Sequence, residues 1–146
     1  MIKDSDQLTI QSSLEALKII RNFVYEFCKR NKIVEKSINS IVLAVDEATT
    51  NIVKHAYKNK ENGIIYISLT LRDNVLSIEL EDLGVKFNEN DIPKANIEDY
   101  YKEHKKGGWG VFLIKKLMDL VHYTRSDEGK NYLLLEKKVE FEEDAK

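Results

Sequence analysis

The stretch from Ile65 to Leu80 constrains the fold more than any other part of the chain. Ile65, Ile67, Leu69 and Leu71 fall at every second position, and after Asp73–Asn74 the alternation resumes with Leu76, Ile78 and Leu80. A period of two puts each set on one face of a strand, and Asp-Asn is turn chemistry, so the segment reads as a β-hairpin with one apolar face. That face needs a second layer to cover it. Two helical periods upstream supply the layer. Leu14, Leu17, Ile20 (or Ile19), Val24 and Phe27 form the buried face of one helix, with Ser12 or Ser13 as its cap. After a break near Asn31–Lys32, Ile38, Ile41, Val42, Val45, Ile52 and Ala56 form the face of a second, from about Glu35 to Tyr57. A short alternating strand over residues 6–11 precedes both, and Asn62–Gly63 marks the turn into the hairpin.

Beyond the hairpin the pattern changes. Val85 to Lys106 holds the only proline, Pro93, with many charges and little periodicity, and reads as a long loop. The cluster Gly107–Gly108–Trp109–Gly110 then opens a helix carrying Leu113, Ile114, Leu117 and Met118. Two strands near residues 121–126 and 132–139 follow, joined by Asp127–Glu128–Gly129. This order implies an α+β two-layer sandwich: a mixed, mainly antiparallel sheet with helices on one face. The 146 residues suit one domain, 1–146, whose acidic tail from about 140 is read as solvated.

Composition excludes several function classes. Lys plus Arg number 23 against 25 Asp plus Glu, a balance that argues against nucleic-acid binding by phosphate neutralisation. No apolar run has the length to span a bilayer, and the opening MIKDSDQ lacks the apolar core of a signal peptide, so a cytoplasmic protein is expected. The single cysteine, Cys28, sits in the first helix's apolar spacing and reads as a core residue. His55, His104 and His122 are far apart, without metal-ligand spacing.

Three segments carry chemistry. In AVDEATTNIVKHAY, Glu47 and Asn51 stand one helical turn apart, both pointing away from the apolar stripe. A carboxylate beside an amide oxygen suits proton abstraction and a hard cation such as Mg²⁺; taken alone, the pair is better read as a solvated polar face. In ELEDLGVKF, Asp82 follows Leu76, Ile78 and Leu80 on one face of the strand, and a buried carboxylate needs a partner. An exocyclic amine such as that of adenine would serve, with Gly84 letting a flat ligand approach the backbone. The alternative is a strand that has reached solvent and turns. In KKGGWGVFLIKKL, glycines before a helix let N–H groups converge on an anion, with Lys105 and Lys106 adding positive charge. A flexible loop into the helix is the plainer reading. The spacing is not that of a P-loop.

In this order and at these distances, the three segments resemble the GHKL (HATPase_c) superfamily. DEATTNIVKHAY is similar to its N-box, EDLGVKF to its adenine box and GGWGVFLIKKLMD to its glycine-rich phosphate box. HAY and LIKKLMD resemble in particular the anti-sigma-factor serine kinases of the RsbW and SpoIIAB type. The resemblance covers nearly the whole chain. It implies a Bergerat-type ATP-binding fold with Glu47 as general base and Asn51 as a ligand of Mg²⁺ shared with the ATP phosphates. It places Asp82 on the adenine amino group with Gly84 beside it. Lys54, His55 and Lys106 would flank the nucleotide. Gly108, Trp109 and Gly110 would wrap the phosphates, with Val111 and Phe112 at the helix start. Lys86 stands where the family more often has a small residue or proline, and Asn131 where many members have threonine.

The resemblance implies a serine/threonine kinase that transfers the γ-phosphoryl of ATP to a STAS-type anti-anti-sigma partner and sequesters a sigma factor. A homodimer is implied, with the first strand and helix as contact elements. The alternative is a sequestration module of the same fold, with or without ATP, for which Glu47 and Asn51 together are unneeded. An ATP hydrolase driving a larger machine is disfavoured.

Overall fold

The computed structural model describes residues 1–58, 60, 62–85 and 110–143. Its elements are β1 (Ile2–Gln11), α1 (Leu14–Arg30), α2 (Glu35–Asn51), a π-helical turn (Ile52–Ala56), β2 (Ile64–Arg72), β3 (Val75–Asp82), α3 (Gly110–Leu117), β4 (Leu120–Arg125) and β5 (Asn131–Lys138). The loop expected over Val85–Lys106 lies, from Lys86 onward, outside the described residues.

The α+β sandwich expected from the periodicities is present. Five strands form one sheet in the order β1-β2-β3-β5-β4. Each described pairing is antiparallel, with no parallel pair among them. The chain leaves β3 and returns through α3, so β4 runs the same way as β3. β5 folds back between them, and each neighbour is therefore antiparallel. The hairpin pairs Leu71 with Leu76, Leu69 with Ile78 and Ile67 with Leu80 across one face. At its turn Asp73 takes the left-handed conformation, φ 53°, which aspartate tolerates.

That face is the floor of the core. Ile65, Ile67, Leu69, Leu71, Leu76, Ile78 and Leu135 are fully buried beneath Ala16, Ile20, Val24, Phe27 and Cys28 of α1 and Ile38, Ile41, Ala44 and Val45 of α2. Each large aliphatic side chain taken from water contributes about 1.5–3 kcal/mol. α2 is the central helix, packed against both α1 and α3.

The helical face of α1 differs in detail from the sequence reading. Leu14 is 67% exposed and Ala16 is buried instead. At about 100° per residue Leu14 lies roughly 120° around the helix from Ile20, whereas Ala16 lies within about 40° of it. The same angle selects Ile20 over Ile19. Of the two candidate caps, Ser13 Oγ accepts from the Ala16 N–H at 3.2 Å, a bond of about 1 kcal/mol. Ser12 is buried and does other work: its Oγ donates to the Lys60 carbonyl at 2.7 Å and accepts from the Gly63 N–H at 3.1 Å. Among the described residues no helix is long and apolar enough to cross a membrane.

Candidate functional site

The first group sits at the C-terminal end of α2. Asp46 and Glu47 are adjacent carboxylates, and the helix turns them in different directions. Asp46 faces α1, where one oxygen accepts from Arg21 Nη2 at 2.8 Å and Nε at 3.1 Å. Glu47 is half-buried. Burial, and then the negative charge of Asp46, push its carboxyl above the ordinary glutamate value, while Lys54 pulls it down. A carboxylate raised in this way is a stronger proton acceptor than an ordinary glutamate. Asn51, half-buried, is the last residue of α2.

After Asn51 the hydrogen bonding widens. The Tyr57 N–H reaches the Ile52 carbonyl at 2.9 Å, five residues back, closing a π-helical turn that carries the exposed Lys54 and His55. Such single turns inside helices recur at functional sites. The sequence predicts an unbroken helix here because the apolar spacing through Ile52 and Ala56 holds across the extra residue.

The second group closes the end of β3. Asp82 is 7% exposed, on the face of Leu76, Ile78 and Leu80 as the alternation requires. Its Oδ1 accepts from Asn131 Nδ2 at 2.7 Å and from the Gly84 N–H at 2.9 Å. Among the described residues its Oδ2 has no hydrogen-bond donor. Burial pushes the Asp82 carboxyl above its ordinary value, opposed by the Asn131 and Gly84 hydrogen bonds and the Arg125 charge. Asn131 is itself held: its Oδ1 accepts from Tyr123 Oη at 2.6 Å and Arg125 Nη1 at 2.7 Å.

A seam joins the two groups. The Val85 N–H donates to the Ala56 carbonyl at 2.8 Å, tying the π turn to the segment after β3. Tyr57 rivets the same place, its hydroxyl donating to the Ile64 carbonyl at 2.6 Å and accepting from the Leu83 N–H at 2.8 Å. Gly84 has no room for a side chain, since a Cβ there would lie 2.6 Å from the Ala56 carbonyl carbon. The close approach that Gly84 permits is thus to the protein's own backbone. An open cleft of about 390 Å³ adjoins the seam, lined by Tyr57, Lys58, Lys60, Leu83, Val85 and Arg125 among others, but it does not reach Glu47, Asn51 or Asp82.

Of the third group, Lys106, Gly108 and Trp109 lie outside the described residues. Gly110, Val111 and Phe112 form the first turn of α3, which packs on the helix bearing Glu47 and Asn51. The structure thus gathers Glu47 and Asn51 on α2 with Lys54 and His55 on the π turn that continues it, and Asp82 with Gly84 at the end of β3, the two stitched by Tyr57. Arg21, Tyr57, Tyr123 and Arg125 were not singled out from the sequence, because their roles depend on partners 25, 26, 8 and 6 residues away.

The chain matches the histidine kinase-like ATPase domain family over residues 10–137. It is 34% identical over 125 residues to the serine-protein kinase RsbW of Staphylococcus aureus strains RF122 and MRSA252, an alignment covering 82% of this chain and 78% of the relative. Among solved structures, the RsbU and RsbW domains of Rv1364c from Mycobacterium tuberculosis align with a TM-score of 0.69 at 17% identity, over 94% of this chain and 33% of that one. The SiaB–SiaC complex from Pseudomonas aeruginosa gives a TM-score of 0.66 at 13% identity, over 92% of this chain and 89% of that one. These two likenesses speak for the fold.

Proposed function

This chain belongs to the histidine kinase-like ATPase domain family, and we propose that within it the protein is an ATP-dependent serine/threonine kinase and anti-sigma factor. Its protein substrate is a STAS-type anti-anti-sigma partner in a bacterial partner-switching pathway. The observation that carries this reading is the 34% identity, over most of both chains, to relatives named serine-protein kinase RsbW.

The site suits the activity residue by residue. Glu47, whose carboxyl is raised by burial and which stands apart from the Arg21–Asp46 pair, takes the proton of the acceptor hydroxyl as the new O–P bond forms and ADP departs. Asp82, buried with Oδ2 lacking a donor among the described residues, accepts from the adenine amino group, with Gly84 beside it. Asn51 would hold Mg²⁺ through its amide oxygen, a hard donor, and the ion would supply charge neutralisation on the phosphates. Lys54 and His55 flank the phosphates, and Gly110, Val111 and Phe112 bring backbone N–H groups to them at the start of α3; the resemblance assigns Lys106, Gly108 and Trp109, which lie outside the described residues, to the same group.

The whole chain, 1–146, acts as one ATP-binding domain in the cytoplasm. It pairs as a homodimer through α1 and β1, the latter an edge strand of the sheet, and sequesters a sigma factor.

Calorimetric titration of Mg·ATP, with Asp82→Ala as control, tests the site; transfer of labelled phosphate to a STAS-type partner tests the activity. Binding lost in the variant, with label reaching a partner serine or threonine, is the expected result. Binding without transfer to any such partner would leave a sequestration module, and no binding by folded wild type overturns the nucleotide site.

A further inference from the structure

Asn131 belongs to neither helix nor glycine segment, yet its side chain is engaged at both ends of its amide. It is 3% exposed, with too little access for water to replace a lost partner. Its Oδ1 receives Tyr123 Oη at 2.6 Å and Arg125 Nη1 at 2.7 Å, while its Nδ2 donates to Asp82 Oδ1 at 2.7 Å and the Gly84 carbonyl at 3.1 Å. Arg125 Nη1 also reaches the Gly84 carbonyl, at 3.1 Å.

A guanidinium only donates, so Arg125 decides which end of the amide it faces. Turned over, Asn131 would set its oxygen against the Asp82 carboxylate and its NH₂ against Arg125, two repulsive contacts. The amide has one orientation, and in it Asp82 receives a donor. We infer that Asn131, clamped by Arg125 and Tyr123, is a positioning residue for purine selection: it holds Asp82 in one rotamer, with Oδ1 occupied and Oδ2 left to face the base. This rests on the nucleotide reading above and extends it to a residue that need not touch the ligand.

The chemical consequence concerns the purine 6-position. An ionised Asp82 whose Oδ1 is occupied accepts from a 6-amino group and repels a 6-oxo group. A protonated Asp82 can donate, and so tolerates the 6-oxo purine. The titratable groups beside Asp82 among the described residues are Arg125 and Tyr123 of β4 and Tyr57 after the π turn. Burial alone drives its carboxyl upward, and the Asn131 hydrogen bond is the first influence opposing it, ahead of the Gly84 N–H and the Arg125 charge. Removing that amide therefore moves the carboxyl further up and extends the protonated form toward neutral pH.

The test measures Mg·ATP and Mg·ITP affinity by calorimetry from about pH 5.5 to 8 in wild type and Asn131→Leu. The ligands' own titration is common to both proteins and cancels in the difference. Asn131→Leu should bind ATP at the alkaline end within about fivefold of wild type, lose it at a pH about one unit higher, and discriminate ATP from ITP about tenfold less well. Should Asn131→Leu fail to fold, Tyr123→Phe, which loosens the clamp on the amide without removing a charge, should move both readouts the same way by less. An unshifted pH profile, or a loss of affinity uniform in pH with discrimination intact, overturns the inference while leaving the nucleotide site standing. Failure of folded wild type to bind Mg·ATP at any pH overturns both.

Discussion

Gly84 and Ala56 meet backbone to backbone. A Cβ on Gly84 would lie 2.6 Å from the Ala56 carbonyl carbon and 2.7 Å from its Cβ, and the neighbouring Val85 N–H bonds the Ala56 carbonyl at 2.8 Å. The obstacle is main chain, which no rotamer change can clear. Gly84→Ala should therefore separate the end of β3 from the π turn and lower stability by about 1–3 kcal/mol. A urea melt reads this directly, and Mg·ATP affinity should fall with it because Asp82 and the Asn51 end of α2 lose their common seam. Wild-type stability in the variant would show the seam to be looser than the structure has it.

Glu47→Ala should lower phosphoryl transfer by about 10²–10⁴-fold while sparing Mg·ATP binding. The base acts only when ionised, and burial and then Asp46 raise its carboxyl above the ordinary value. Activity should therefore rise with pH along a limb displaced above the usual glutamate range. Asp46→Asn removes the neighbouring charge and should bring that limb back toward lower pH. Unchanged transfer by Glu47→Ala would remove the assignment.

Asp82 carries a stability cost that function requires. Its carboxyl is raised in the folded protein, chiefly by burial, so the folded state holds the proton more tightly than the unfolded one. Stability from this group is greatest below the ordinary aspartate range and declines as pH rises through the raised value. Asp82→Asn keeps an oxygen for Asn131 and Gly84 and removes the buried charge. It should be more stable than wild type at neutral pH, on the order of 1 kcal/mol, while losing ATP affinity. Denaturation at neutral and at acid pH checks the sign: the gain should shrink in acid.

Cys28 should be chemically silent in the native protein. It is fully buried on the inner face of α1, and burial pushes its thiol up to about 12. A thiol reagent at mildly alkaline pH should label it only through unfolding, and at once, with one equivalent, in guanidinium. Rapid native labelling would mean that α1 lifts from the sheet.

The sandwich was legible because its signals are local. Alternation over Ile65–Leu71 and Leu76–Leu80 and the helical spacing of Ile20, Val24, Ile38, Ile41 and Val45 each follow from a repeat a few residues long, and the apolar residues of these patterns are all fully buried or within 1% of it. The Glu47–Asn51 spacing and the Asp82–Gly84 pair were readable for the same reason. The π turn was hidden, since one added residue leaves the apolar spacing around it intact.

By itself, then, the sequence determined the layers, the hairpin register, the candidate groups and the family they resemble, because side-chain periodicity and motif spacing are properties of neighbouring residues. Only the tertiary structure decided what those groups do to one another. It bound Asp46 to Arg21 and left Glu47 apart, gave Gly84 a backbone to meet, and turned the amide of Asn131 toward Asp82 through Arg125. Each of these depends on charge, volume or hydrogen-bond direction arriving from a distant part of the chain, and no local pattern encodes them.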